Sequence, residues 1–187
     1  MVMAMNTTTE SEVSKVHDEL VTFLQEHAHS VKLFQHPPSH TSEESMAARF
    51  QASGEKVPGA KALLVKLDIR DRPGTFAVIV LPGFNKLDSK GVKQELRNRI
   101  EGLRDFRFAS PEEMAQAARG LQPGKMPPFG RPFFPDIAYT FIDTALLEYP
   151  RIGFNAADFE HSAIMDSAEY IQHVEHDGIF ARSVASE

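Results

Sequence analysis

Apolar residues recur at helical spacing near the start of the chain: Val13, Val16, Leu20, Val21 and Leu24 in "ESEVSKVHDELVTFLQEHA". One apolar stripe at a 3.6-residue period predicts a helix over residues 10–28, capped by Glu10 or Ser11. "SVKLFQH" reads as a short strand that stops at Pro37 and Pro38, whose fixed φ and missing amides exclude a helix. Thr41 then precedes Glu44 by three residues, the spacing of a capping box, and a second helix is expected from there. "ASGEKVPG" is a loop by its glycines and proline. Two apolar runs follow, "AKALLVKLDIR" and "GTFAVIVLP", and the turn chemistry of "DRPG" between them predicts a β-hairpin.

Beyond the hairpin, "LDSKGVKQELRNRIEGL" and "RFASPEEMAQAARG" read as helices. The second has Ser110 as its cap, Pro111 at its first position and Gly120 after its end. "DIAYTFIDTALL", "RIGFNAADF" and "HSAIMD" read as strands, and "SAEYIQHVEH" as a short helix. Helices and strands mix without strict alternation, which predicts a mixed α/β sheet rather than a doubly wound one.

The 187 residues suit one domain, with 1–30 as a helical extension packed on a domain of 31–187. With no cysteine, disulfides, thiolate metal sites and thiol nucleophiles are excluded. The opening residues lack the basic and apolar regions of a secretory signal, and no apolar run approaches the ~20 residues that cross a bilayer. A cytoplasmic protein with no membrane partner is the expectation. The net charge of −6 is unevenly spread. Residues 1–30 hold one Lys against five acids and 155–187 one Arg against seven, which leaves 31–154 at +4. Within that centre Lys86, Lys90, Lys93, Arg97, Arg99, Arg104 and Arg107 form a basic run. It suits either a solvated helix face or a face that meets nucleic-acid phosphates.

Several familiar chemistries find no support. "GEKVPGAK" has the glycine spacing of a P-loop, but its lysine comes one residue late and it leads into a strand. The pairs His27/His29, His36/His40 and His173/His176 lack metal-ligand spacing, so no metal is expected, and there is no G-x-S-x-G elbow. Lys61 heads a strand, where a lysine commonly snorkels at a sheet rim. The segment "PGKMPPFGRPFFPD" (123–136) is the most unusual, with five of the twelve prolines. Prolines stiffen it and remove donors, leaving amides at Gly124, Lys125, Met126, Phe129 and Gly130 that suit an acyl oxygen. A loop that wraps Phe129, Phe133 and Phe134 onto the core explains the same composition equally well.

Taken together, "GAKALLVK", "VLPGFNKLDSKGVKQEL", "RFASPEEM", "GKMPPFG" and "IGFNAADFEHSAIM" resemble, in order and spacing, the YbaK/ProX family of aminoacyl-tRNA deacylases. These proteins are related to the insertion domain of prolyl-tRNA synthetases, and the resemblance runs from His36 to Ile171. It implies a single α/β domain with a mixed, barrel-like sheet flanked by helices. The implied activity is hydrolysis of the ester of mischarged aminoacyl-tRNA, such as tRNA-Pro carrying a small amino acid. It needs no cofactor, and it takes the acceptor 3′ end, with a synthetase as a further partner and no DNA. The alternative is a non-catalytic module that binds tRNA or a synthetase.

By the same resemblance, Lys61 engages the terminal adenosine and phosphate side, and Gly124 to Pro128 position the ester, with Gly124 and Pro128 as motif residues. Lys125, Met126, Pro127, Phe129, Gly130, Asn155 and His161 are implied to shape the substrate pocket. Lys125, Pro127 and Ala157 depart from the family pattern of glycine, serine and glycine, so the specificity of a subfamily does not transfer.

Overall fold

The computed structural model describes residues 3–185, with side chains for 11–184. Its first helix, α1 (Met3–His27), starts earlier than the apolar stripe predicts. Val16, Leu20 and Leu24, spaced by four, are fully buried against the main core, so α1 is anchored by its C-terminal half. Strand β1 (Lys32–Gln35) follows, then α2 (Ser42–Ser53). The capping box is formed: the Thr41 hydroxyl accepts from the Glu44 amide, and the Glu44 carboxylate accepts from the Thr41 amide. Gly54 closes α2 in a left-handed conformation at φ 73°.

Strands β2 (Ala60–Ile69) and β3 (Arg72–Pro82) form the antiparallel hairpin. The turn is tighter than "DRPG" predicts. It falls on Arg70 and Asp71, and Asp71 takes a left-handed φ of 62°, which Asp tolerates better than most residues. Then come β4 (Asn85–Leu87), α3 (Ser89–Arg99) with Asp88 capping the Gly91 amide, β5 (Leu103–Phe108) and α4 (Pro111–Ala117) with the Ser110–Glu113 capping box. After the proline-rich segment the chain forms β6 (Ile137–Asp143), a 3₁₀ turn, β7 (Arg151–Asn155), β8 (His161–Asp166), α5 (Ser167–His173), β9 (Gly178–Phe180) and β10 (Ser183–Ala185).

Five strands in the order β5-β2-β3-β6-β9 make the central sheet, with β3 and β6 parallel. Alternation along β2 and β3 divides their side chains between two cores. Leu64, Val78 and Val80 meet α1, α4, β7 and β8, whereas Val65, Leu67 and Ile79 meet Val92 and Leu96 of α3. Burial on both faces accounts for the nearly unbroken apolar runs. A three-stranded sheet, β1-β8-β7, and the β10-β4 pair complete a mixed α/β fold.

The sheets are not closed into a barrel. Between β2 and β7 there is a single bridge, Gly59 to Gly153, where the Gly153 amide donates to the Pro58 carbonyl at 2.9 Å. Pro58 has no amide to extend a ladder, and the Arg49 side chain from α2 fills the gap. A Cβ on Gly59 would lie 2.8 Å from Arg49 Nη2, and one on Gly153 would lie 2.6 Å from Nε. The two sheets part at this seam, and the parting leaves a hollow.

Candidate active-site cleft

Five separate segments border that hollow, a cleft of about 160 Å³. Thr41, Ser42, Ser45 and Arg49 come from the cap and inner face of α2. Gly59 immediately precedes β2 and Lys61 and Leu63 lie at its start, Gly83 follows β3, and Gly124, Met126 and Asn155 come from the proline-rich loop and the end of β7. His40 sits at its edge with its ring 4.4 Å from that of Phe159. No carboxylate lines the cleft among the described residues.

Lys61 is half-buried, and its ammonium donates to the carbonyls of Asn85 at 2.8 Å and Gly83 at 3.2 Å. Burial lowers its pKa below the usual lysine value. Two carbonyls thus fix the charge at the cleft wall. A lysine snorkelling at a sheet rim would be free to swing away.

The back half of the proline-rich loop packs as the core-wrapping reading expects. Pro127, Pro128, Phe129 and Gly130 are buried. The Phe129 ring is edge-on to Phe133, Phe154 and Tyr170 at 5.4–5.8 Å, and Tyr170 donates its hydroxyl to the Pro128 carbonyl at 2.5 Å. A Cβ on Gly130 would collide with the Thr140 hydroxyl, so that position is kept bare by packing. The front half faces the cleft, with Gly124 in a left-handed conformation at φ 88°.

The loop has fewer spare amides than its composition predicts. Lys125 donates to Gln122 at 3.1 Å and Phe129 to Pro127 at 2.8 Å. The amides of Gly124 and Met126 have no partner among the described residues.

Asn155 ties the site together. Its amide donates to the Gly124 carbonyl at 2.8 Å, and its oxygen accepts from Arg49 Nη1 at 3.4 Å. Arg49, only 3% exposed, was not legible as a site residue. Nothing in "MAARFQ" separates it from a surface arginine; its shared α2 face with Ser45 and the bare glycines opposite emerge only on folding. Its Nε has no hydrogen-bond partner among the described residues, and burial pushes its pKa down to about 10, which leaves it charged at neutral pH.

Lys125 and His161 do not line this cleft but border a neighbouring groove with His17 and Asp158. Lys125 lies over the Phe159 ring at 4.6 Å. His161 Nδ1 donates to Asp158 at 2.6 Å, and His17 Nδ1 donates to the Ala156 carbonyl at 2.5 Å. One ligand atom from each of His17, Asp158 and His161 lies within 4.8 Å of the others, so these residues could hold a divalent cation. The histidine pairs noted in the sequence form no such cluster among the described residues; His36, for one, is buried against the Ser162 hydroxyl at 2.7 Å.

In the basic run, Lys93 pairs with Asp105, Arg99 with Glu95 and Arg107 with Glu113. Lys86, Lys90, Arg97 and Arg104 are exposed and outside the ion pairs found among the described residues.

With this geometry in place, comparison with known proteins identifies the class. Residues 36–172 match the family model of the aminoacyl-tRNA editing domain. The chain belongs to that family, the YbaK/ProX-like group that its motifs resemble. Among the solved structures that share the fold are two at similar identity. A proposed trans-editing enzyme for prolyl tRNA synthetase is 19% identical with a TM-score of 0.66, the match covering 91% of this chain and 98% of the other. The hypothetical protein APE2540 is 18% identical with a TM-score of 0.68, covering 88% and 99%. No curated protein matches the chain. No helix among the described residues is long and apolar enough to cross a membrane.

Proposed function

We propose that the chain is an aminoacyl-tRNA deacylase that hydrolyses a mischarged ester in trans. The observation that carries this reading is the meeting of Lys61, Gly124 and Met126 at one cleft, the amides of the last two being unpartnered among the described residues. A synthetase separates amino acids that differ by one methylene by only about 1–3 kcal/mol, so wrong products have to be removed at a second site. Water adds to the ester carbonyl, the C–O bond to the ribose breaks, and the amino acid leaves with the tRNA hydroxyl restored. The vicinal ribose hydroxyl can carry the proton. The protein then has to position the ester and stabilise the oxyanion, which fixed amides do without reorganising.

In this reading Lys61 anchors the 3′-terminal nucleotide and Asn155 sets the loop. Gly124 and Met126 hold the acyl oxygen, backed by Pro127, Pro128, Phe129 and Gly130. Lys125 and His161 act from the neighbouring groove, and the exposed Lys86, Lys90, Arg97 and Arg104 meet acceptor-stem phosphates. Residues 1–30 serve as an extension that walls the domain. The work would be done in the cytoplasm, on tRNA-Pro as the first candidate and with a synthetase as partner.

The test is deacylation of tRNAs charged with Ala, Ser, Thr, Cys, Pro, Asp or Glu. Cleavage of at least one ester well above the uncatalysed rate is expected; none would overturn the reading. A binding-only module is the second reading, favoured by Lys125 and Pro127 in the loop. It would show as tRNA binding with every ester left intact.

A further inference from the structure

We infer that Arg49 recognises a carboxylate on the acyl group, so that the ester this cleft accepts is that of an acidic amino acid, aspartyl or glutamyl. The inference rests on the deacylase reading of the cleft and deepens it.

A guanidinium that is 3% exposed is costly to keep unless an anion compensates it. Arg49 has no carboxylate partner among the described residues. Its side-chain hydrogen bonding is one long bond, Nη1 to Asn155 at 3.4 Å, and an Nε with none. An aliphatic side chain would fill the seam between the sheets at lower cost. The chain instead keeps Gly59 and Gly153 bare, where any Cβ would press on Nη2 or Nε. It makes room for a charge that it leaves unpaired.

The charge borders the cleft. Arg49, Lys61 and His40 line it with no acidic side chain among the described residues, so its field favours an anion. A guanidinium presents a planar fork that matches a carboxylate at two points. A phosphate has related chemistry, but the access differs. A phosphodiester in tRNA is flanked by nucleosides and suits the half-exposed Lys61 at the wall. A group as deeply set as Arg49 is reached only by a terminal branch of the substrate, which the acyl side chain is. A cleft of about 160 Å³ suits a short acidic side chain.

The experiment is calorimetric binding of 3′-amide-linked aminoacyl-adenosines, which cannot be hydrolysed, with adenosine 5′-monophosphate as the phosphate probe. On the unaltered protein the aspartyl or glutamyl analogue is expected to bind about 10–100-fold more tightly than its asparaginyl or glutaminyl counterpart, as a charge-assisted pair provides. That comparison needs no variant. In Arg49→Met the preference is expected to disappear while binding of the monophosphate is unchanged; Arg49→Lys retains part of it. Equal affinity for acidic and amide analogues overturns the inference. So does a loss of monophosphate binding in Arg49→Met without any acyl preference, which would make Arg49 a phosphate reader. Cleavage of alanyl- or seryl-tRNA with aspartyl- and glutamyl-tRNA untouched overturns this inference and leaves the deacylase reading standing. Acidic preference without cleavage of any ester sinks the deacylase reading alone.

Discussion

The side-chain amide of Asn155 donates to the backbone carbonyl of Gly124 at 2.8 Å, joining the end of β7 to the front of the proline-rich loop. The same side chain accepts from Arg49, so one residue sets the distance between loop and helix across the cleft. Asn155→Ala is expected to lower kcat/KM about 10–100-fold, since small misplacements of a positioned group have effects of that size. Stability should fall by only about 1 kcal/mol, the worth of one hydrogen bond. Asn155→Asp, which cannot donate, should be as impaired in activity.

Gly153 and Arg49 compete for the same space. Gly153→Ala places a methyl 2.6 Å from Arg49 Nε and is expected to cost about 1–3 kcal/mol in denaturant unfolding, as overpacking does. Combining it with Arg49→Ala should recover part of that cost. Additive losses would mean that the two residues do not share the seam.

Stability at acid pH should depend on Glu169. Burial by itself would raise its pKa, but the Ser30 hydroxyl and the amides of His29 and Ser30 donate to it and hold it down to about 2. A depressed carboxylate pKa stabilises the fold above the unfolded value and loses that contribution as pH falls through the folded one. Glu169→Gln is expected to be about 1–2 kcal/mol less stable at pH 7, with the gap closing between about pH 5 and pH 2. Urea melts across that range test it.

Lys86, Lys90 and Arg104 are expected to contribute through charge alone. Replacing all three with glutamine should weaken tRNA binding at low salt. It should also flatten the salt dependence by about one unit of slope for each phosphate no longer neutralised. Replacement without effect on the slope would remove this face from the RNA interface.

The parts of the fold legible in the sequence were those fixed locally. Thr41 with Glu44 and Ser110 with Glu113 mark their helix starts because a cap joins residues within four of each other. The β2–β3 hairpin shows because both its strands are buried on two faces. Strand β5, "LRDFRF", reads as polar because it is an edge strand whose ladder runs along β2 while Arg104, Asp105 and Arg107 face water. The three-residue strands β4, β9 and β10 exist through distant partners, such as Val184 opposite Lys86, and carry no local signal. At the site, Lys61, Gly124, Met126 and Asn155 could be named in advance and meet in one cleft. Arg49 could not, because its significance lies in what it fails to touch.

The most direct measurement is single-turnover hydrolysis of the charged-tRNA panel by the unaltered protein and by Lys61→Ala. An ester cleaved well above background, with the rate falling at least about 100-fold in a folded Lys61→Ala, is the expected result. Cleavage that persists unchanged without the lysine, or no cleavage of any ester, would contradict an active site built on that ammonium and the facing peptide groups.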